Sequence, residues 1–253
     1  MTGRTVVACG SLVVALASAG CLSFYEVPVE TPIRAKLDVT PFQRVLVAGF
    51  VTGGSKSIDP NSETARLLRS QLRTKSDLKI IDADVINLAE EFDKRRSKPA
   101  PTGAAAEEPR VKDERDLLDY EPILKDEAYW KEIGELYQSP LIITGSIMFT
   151  EVSKSGVFST PQTFSDPQGQ VRYAEDRTFK DMKGYALTPK FIFIDGRTGA
   201  QLFTETYNEE RLYAAGQNVP SLSAYFEMMD GLLPSFLNTL STQKIRGSRI
   251  MLK

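Results

Sequence analysis

Two long apolar runs constrain the fold of this chain more than any other feature. They are Arg44–Val51, with the sequence RVLVAGFV, and Pro140–Val152, with the sequence PLIITGSIMFTEV. A strand with so continuous an apolar stretch has no polar side to turn toward water, so it is expected to be buried on both faces. Such a sheet needs helices packed against it. The sequence therefore predicts an α/β fold.

The remaining periodic segments predict the other elements of a single α/β domain over residues 44–253. They are a helix that starts near Glu63 with Asn61 or Ser62 as its cap, a short strand at Leu78–Ala83, a helix that opens at Asp84, a helix at Asp126–Tyr137, a hairpin of Phe191–Ile194 and Gln201–Tyr207, and a helix at Ser221–Leu240. We expect a mixed sheet of about four to five strands, with Ile250–Leu252 as a further edge strand. Residues 97–125 and 153–185 are predicted to be insertions, and the Pro-, Ala- and Gly-rich start of the first is expected to be mobile.

The amino terminus has the layout of an export signal. A single charged residue, Arg4, precedes an apolar run of small residues that ends in Ser18-Ala19-Gly20-Cys21. This ending resembles the lipobox of bacterial lipoproteins, in which the cysteine thiol receives diacylglycerol before cleavage, although Ser18 stands where the family usually has leucine. The resemblance implies that residues 1–20 are a signal peptide, that cleavage falls between Gly20 and Cys21, and that Cys21 is lipidated. Residues 21–43, with three prolines, are expected to form an extended tether.

The location of the protein follows from the same segment. No later run is long enough to cross a bilayer. Leu22 and Ser23 follow the cysteine without the aspartate that keeps lipoproteins in the inner membrane of enteric bacteria, so the resemblance implies the periplasmic face of the outer membrane. Two alternatives stay open: an ordinary secretory signal cut after Ala19 or Gly20, which would leave an unmodified cysteine, and an uncleaved membrane anchor.

Composition excludes several functions. The chain has no histidine, so it lacks the commonest general base and metal ligand, and triads of the Ser-His-Asp or Cys-His type are impossible. Its net charge of −2 gives no basic field for nucleic acid. With Cys9 inside the removed segment, the mature chain keeps one cysteine and forms no internal disulfide. We expect no catalytic residues, no metal, no cofactor and no nucleic-acid partner.

Four patterns that resemble functional sites have structural explanations that we prefer. Asp82 and Asp84, near Glu90-Glu91, are expected to end a strand and cap a helix rather than form a carboxylate cluster. Gly49–Gly54 lacks the lysine-serine ending of a phosphate loop. Asp195 is predicted to be a turn residue. The basic run at 94–98 is expected to be a solvated helix end. The two insertions are the preferred recognition surfaces.

Several short motifs carry a family resemblance. They are the strand Val45–Phe50, the helix Glu63–Arg73, the strand Leu78–Asp82, the step Gly145-Ser146-Ile147 and the DxxTG turn Asp195–Gly199. With the lipidated cysteine they resemble a group formed by the curli-secretion lipoprotein, the lipoprotein activators of penicillin-binding proteins and the amino-terminal domain of the TolB protein. The resemblance implies a fold related to anticodon-binding domains.

The same resemblance suggests two functions. The first is a non-catalytic envelope lipoprotein that binds a protein partner as an assembly, regulatory or secretion factor. The alternative is a component of an oligomeric outer-membrane secretion pore, because the curli-type member inserts hairpins into the membrane. A short hairpin is expected around Val171–Phe179 in the second insertion. Charges at Arg172, Glu175, Asp176 and Arg177 fall on both of its sides, which disfavours contact with lipid tails.

Overall fold

The computed structural model describes residues 24–55, 57–96, 111–165, 167–214 and 216–252. The lipobox residues Gly20 and Cys21, and residues 97–110 of the first predicted insertion, lie outside these ranges. The chain divides into two compact units, a large one over residues 36–241 and a small one formed by the two ends of the chain. The boundaries predicted at residues 20, 21 and 43 stay predictions.

The described residues contain eight strands, five α-helices and one 3₁₀ segment at Glu114–Tyr120. The strands are β1 (Phe24–Ile33), β2 (Arg44–Gly54), β3 (Lys79–Ile81), β4 (Leu141–Ser165), β5 (Val171–Asp195), β6 (Gln201–Thr206), β7 (Glu209–Ala214) and β8 (Gln243–Leu252). The helices are α1 (Pro60–Lys75), α2 (Leu88–Arg95), α3 (Glu121–Leu124), α4 (Glu127–Leu136) and α5 (Ser221–Leu240).

The large unit is built on a mixed sheet with the order β3-β2-β4-β5-β6, in which β7 also pairs with β5. Strand β2 runs parallel to β3 and β4, whereas β5 runs antiparallel to β4, β6 and β7. The predicted α/β class is confirmed. The sheet has six strands rather than the predicted four to five, because the chain after β6 returns to pair with β5 a second time.

Alternate residues of the central strands face two separate cores. Val45, Ile143 and Phe193 pack in a core that includes residues of α1 and α5. Leu46 and Ile142 belong to the opposite core, which includes residues of α2, α3 and α4. The central strands are therefore covered on both faces, as their continuous apolar runs predicted.

The caps of α1 and α2 differ from the predicted ones. The Asp59 carboxylate accepts hydrogen bonds from the backbone N–H groups of Asn61 and Ser62, and Pro60 occupies the first turn. The Asn61 amide is used elsewhere, because its oxygen accepts from the Phe50 N–H at 2.8 Å. Helix α2 begins at Leu88 with Asn87 as its cap, so Asp84 lies before the helix rather than opening it.

Removal of the α1 cap gives a first prediction. We expect Asp59→Ala to lower the free energy of unfolding by about 1 kcal/mol, because two N–H groups of the first turn lose their acceptor. Ser62→Ala is the matched control, since the Ser62 side chain makes no capping bond. Urea denaturation measures both variants. A larger loss for Ser62→Ala than for Asp59→Ala would contradict this assignment of the cap.

The small unit is a two-stranded antiparallel ribbon. Strand β1 pairs with β8 from Phe24 opposite Leu252 to Ile33 opposite Gln243. Residues 24–33 of the predicted tether therefore form a strand, and Ile250–Leu252 pair with that strand rather than with the large sheet. The prolines of β1 argued against a strand, but a two-stranded ribbon leaves one edge of each strand unpaired and so tolerates proline.

Candidate protein-binding arm

Strands β4 and β5 continue far past the rest of the sheet. Each is 25 residues long, and they pair from Leu141 opposite Asp195 to Ser165 opposite Val171. Strand β2 stays beside β4 only to Phe149, and β7 stays beside β5 only to Met182. Beyond these points, residues 155–165 and 171–181 pair only with each other among the described strands. We call this two-stranded extension the arm.

The arm replaces the insertion predicted at residues 153–185. That segment was expected to be polar with a short hairpin around Val171–Phe179, whereas the structure continues both long strands to a turn at residues 167–170. Its glycines and prolines suggested loops. In the structure, Gly156 and Pro161 lie inside β4, where at least one strand edge has no neighbour among the described residues.

One face of the arm carries most of its large apolar side chains. Val157 lies opposite Phe179, Thr163 opposite Tyr173 and Ser165 opposite Val171. Directly opposed residues share a face, and so do residues two apart along a strand. Val157, Phe179, Tyr173 and Val171 therefore point to the same side, and each is between 60% and 81% exposed. We call these four residues the apolar face of the arm.

Charge is distributed unevenly between the two strands of the arm. Residues 155–165 of β4 contain no charged side chain, whereas residues 171–181 of β5 contain six. Glu175 and Arg177, on the same side as the apolar face, form an exposed ion pair at 3.4 Å. Charged side chains and prolines on an edge strand both oppose pairing with other chains. Residues 155–165 of β4 have no charged side chain and one proline, Pro161. The arm thus combines exposed apolar side chains with an uncharged strand edge.

A shallow depression of about 330 Å³ lies where the arm leaves the sheet. The Tyr185 hydroxyl donates to the Val219 carbonyl at 3.3 Å, and the Tyr213 hydroxyl donates to Glu227 at 2.9 Å. Partial burial raises the pKa of the Tyr213 hydroxyl, and its bond to the Glu227 carboxylate raises that pKa further. The Tyr213 hydroxyl therefore stays protonated at neutral pH. The two hydroxyls hold β5 and β7 against α5 and the segment that precedes it.

The candidate carboxylates do not come together. Asp82 forms an ion pair with Arg73, and Glu91 pairs with Lys94 and Arg95. Glu90 accepts from the Asn87 amide at 2.9 Å. Within the described ranges, no three histidine, cysteine, aspartate or glutamate residues are placed to hold a metal ion. The glycines at 49–54 lie inside strand β2 and do not form a phosphate-binding loop.

The basic run at the end of α2 makes contacts within the domain. The Arg95 guanidinium lies 4.3 Å from the centre of the Tyr129 ring and pairs with Glu91 and Glu132. Arg96 lies over Phe92 at 5.0 Å. Lys98 is outside the described residues. These contacts fit the predicted role of a partly solvated helix end.

Asp195 holds the turn between β5 and β6. Its side chain is buried and accepts from the Arg197 backbone N–H at 2.9 Å and from the Arg197 guanidinium at 2.8 Å. Its backbone carbonyl accepts from the N–H groups of Thr198 and Gly199. Of the two glycines expected to supply positive φ in this turn, Gly199 does so, at +79°. All of these contacts belong to the turn, in line with the structural role predicted for Asp195.

The Asp195 carboxylate makes stability depend on pH. Its hydrogen bond to Arg197 holds its pKa below the ordinary value of 3.8, so this carboxylate stabilises the fold above about pH 4 and loses that effect as pH falls through the lowered pKa. We expect Asp195→Asn to cost roughly 1–3 kcal/mol at pH 7. In thermal melts, the difference in melting temperature between Asp195→Asn and the unmodified protein should be smaller below pH 3 than at pH 7. A difference in melting temperature that does not change with pH would refute this account.

Sequence reasoning predicted recognition in residues 97–125 and 153–185 and missed the form of the arm. In the described part of the first segment, Leu117, Tyr120 and Leu124 are buried in the core. The only signal for the arm in the sequence is weak: Val171, Tyr173 and Phe179 share one side of a strand, but Glu175 and Arg177 share that side too. The glycines and prolines of the segment weakened this signal further. The other predicted site, Cys21, lies outside the described residues.

Comparison with known proteins adds little. No protein-family profile matches the chain, and no curated protein matches its sequence. A solved structure with some likeness is the lipoprotein GNA1162 of Neisseria meningitidis, with 12% identity and a TM-score of 0.31 over 77% of this chain and 98% of that one. None of the helices within the described ranges is long and apolar enough to span a bilayer.

Proposed function

We propose that this chain is a bacterial envelope lipoprotein that binds another protein through its arm and catalyses no reaction. Acyl chains on Cys21 would hold it at the periplasmic face of the outer membrane. The observation that carries the binding role is the apolar face, which presents Val157, Val171, Tyr173 and Phe179 to solvent on one side of the arm, where no third strand pairs within the described ranges.

The energetics of the arm favour a partner. A two-stranded ribbon is at best marginally stable on its own, and the arm has no further strand beside it among the described residues. Covering one large apolar side chain yields roughly 1.5–3 kcal/mol. Covering four such side chains on one face would therefore favour association, against the cost of losing free motion. Exposed apolar residues gathered on one side are a common mark of protein interaction sites, and here Glu175 and Arg177 lie between Tyr173 and Phe179 on that side.

The anchor rests on the amino-terminal sequence. The small residues before Cys21 suit entry into a peptidase groove, and a thioether to that sulfur is chemically durable. Two or three acyl chains on one residue hold a protein firmly, because each buried methylene contributes about 0.8 kcal/mol. A tethered domain explores a small volume near the membrane, which raises its effective concentration for partners in the envelope.

The non-catalytic part of the proposal rests on how acidic groups are used. Asp195 is engaged in its turn, and Asp82 and Glu91 form ion pairs. The chain also has no histidine to act as a general base near pH 7. These residues support a role in binding rather than in chemistry.

Photo-crosslinking tests the binding role. Tyr173 is replaced by a photoreactive phenylalanine analogue in intact cells, and Leu136, which is exposed to a similar degree on α4, serves as the control position. We expect a crosslinked adduct with a second protein from position 173 and little from position 136. Equal yields at the two positions, or no adduct at 173, would contradict the proposal.

A pair of charge substitutions makes this test specific to the apolar face. Phe179→Asp should abolish the adduct formed at position 173, because it places a carboxylate in the proposed contact. Phe164→Asp, on the other side of the arm, should leave the adduct unchanged. Circular dichroism establishes that both variants fold.

The projecting arm also fits the alternative function, a component of an oligomeric secretion pore, because its free strand edges could join neighbouring copies. Glu175 and Arg177 lie on the same side as the apolar face, and these charges favour a hydrated interface with a protein over contact with lipid tails. Size-exclusion chromatography with light scattering separates the two functions. A monomer or small dimer supports partner binding, whereas a large ring supports the pore.

A further inference from the structure

We infer that the β1–β8 ribbon makes a second, non-covalent contact with the membrane, through the end that contains Phe24 and Leu252. The occupant of this surface is the phospholipid interface. This inference rests on the proposed lipidation of Cys21 and extends it, because it assigns a membrane-binding role to residues of the folded ribbon.

The first argument is the reach of the chain. Cys21 and Phe24 are three residues apart, so their Cα atoms are separated by at most about 11 Å. Leu252 lies opposite Phe24 in the ribbon, at the spacing of neighbouring strands, about 5 Å. If Cys21 is acylated, this end of the ribbon is therefore held at the headgroup region. The opposite end, at Ile33 and Gln243, lies nine residues further along β1, or roughly 30 Å away.

The second argument is the gradient of composition along the ribbon. The half nearest Cys21 contains FYEVP of β1 and SRIML of β8, whereas the far half contains VETPI and QKIRG. Near Cys21, Ile250 is 73% exposed and Met251 is 47% exposed. Exposed apolar residues of this kind can enter the boundary between headgroups and acyl chains, which lies some 5–10 Å deep.

The charges of the ribbon determine which lipid it should prefer. In the near half, Glu26 lies opposite Ile250 and Arg249 lies opposite Val27, on the two faces of the ribbon, so the net charge of residues 24–28 and 248–252 is zero. In the far half, Arg246 bonds to Glu30 at 3.1 Å. The contact is therefore apolar rather than electrostatic, and it should form on neutral phosphatidylcholine as well as on anionic lipid.

Site-specific fluorescence tests this contact on the lipidated chain. Once the signal peptide is removed, Cys21 is the only cysteine, and its sulfur is occupied by lipid, so an introduced cysteine is the only free thiol. Ile250→Cys is labelled with an environment-sensitive fluorophore. Ile33→Cys, at the far end of the same ribbon, is the matched control. Both proteins are placed in phosphatidylcholine vesicles that contain nitroxide-bearing lipid.

We expect nitroxide quenching at position 250 to be roughly threefold stronger than at position 33, as for a group held in the interface. Iodide in the water should quench position 33 more strongly than position 250. Met251→Cys repeats the test should Ile250→Cys misfold. Equal quenching by both agents at the two ends would overturn the inference.

Intact mass measured on the same samples separates this inference from the proposed function. Acylated protein whose position 250 is open to iodide would refute the membrane contact and leave the anchor standing. Protein without acyl chains would refute the anchor, and with it the contact that depends on the anchor.

Discussion

Changing Cys21 to serine is expected to reduce fatty-acid incorporation to background and to leave residues 1–20 attached to the chain. The reason is chemical, because diacylglycerol is attached to the cysteine sulfur, and in lipoproteins cleavage follows that attachment. A serine hydroxyl is far less nucleophilic than a thiolate. Growth with labelled palmitate, followed by electrophoresis of whole cells, reads out both incorporation and the size of the chain.

Cys9→Ser is the matched control for this experiment. Cys9 lies inside the predicted signal peptide, so its loss should change neither labelling nor cleavage. An ordinary secretory signal, the alternative interpretation, makes the opposite prediction for Cys21→Ser, because a cut after Ala19 or Gly20 does not use the thiol. A Cys21→Ser chain that is still shortened would therefore contradict the lipoprotein assignment.

Replacing Gly145 with alanine is expected to cost about 3–5 kcal/mol, a large share of the stability of a typical domain. Gly145 lies in β4 with φ at +143°. A Cβ atom built there would lie 1.8 Å from the Lys190 backbone oxygen on β5. Because that oxygen belongs to a paired backbone, the two central strands would have to separate. Urea denaturation and the yield of soluble protein measure the loss.

Gly156→Ala in the same strand is the matched control. Nothing lies within 4 Å of a Cβ atom built at Gly156, so its unfolding free energy should change by less than about 0.5 kcal/mol. A similar loss for both variants would mean that a general effect of glycine in β4, rather than the close approach to Lys190, sets the cost.

Much of the large unit could be predicted from the sequence because its patterns are local. The continuous apolar runs identified β2 and the inner part of β4, and the spacing of three and four residues identified α5 to within a residue. The Asp195–Gly199 turn was equally clear. These elements have the same burial pattern along their whole length, so a single periodicity describes each of them.

The arm and the ribbon could not be predicted because each depends on pairing between distant or exposed segments. Residues 155–165 of β4 are uncharged and mostly polar, and their described side chains lie outside both cores, so burial imposes no alternation there. The pairing of β1 with β8 joins residues more than 200 positions apart, which no local pattern reveals. The prediction of the α1 cap was wrong for a different reason. Asp59, Asn61 and Ser62 are all good capping residues, and the hydrogen bond from the Phe50 N–H that occupies the Asn61 oxygen depends on the fold.

The candidate site shows the same division. The residue types around Cys21 yield a prediction that needs no knowledge of the fold, because export and lipidation signals are short contiguous segments; it stays a prediction. The apolar face could not, because Val157 and Phe179 come together only through the register of β4 and β5. Recognition surfaces formed by opposed strands need the pairing to be known first.

The intact mass of the protein extracted from purified envelopes is the most direct test of membrane anchoring. We expect a polypeptide that starts at Cys21 and is heavier than its amino acids by a diacylglycerol group, with or without a third acyl chain. A chain that starts at another residue, or one that carries a free thiol at position 21, would contradict the account.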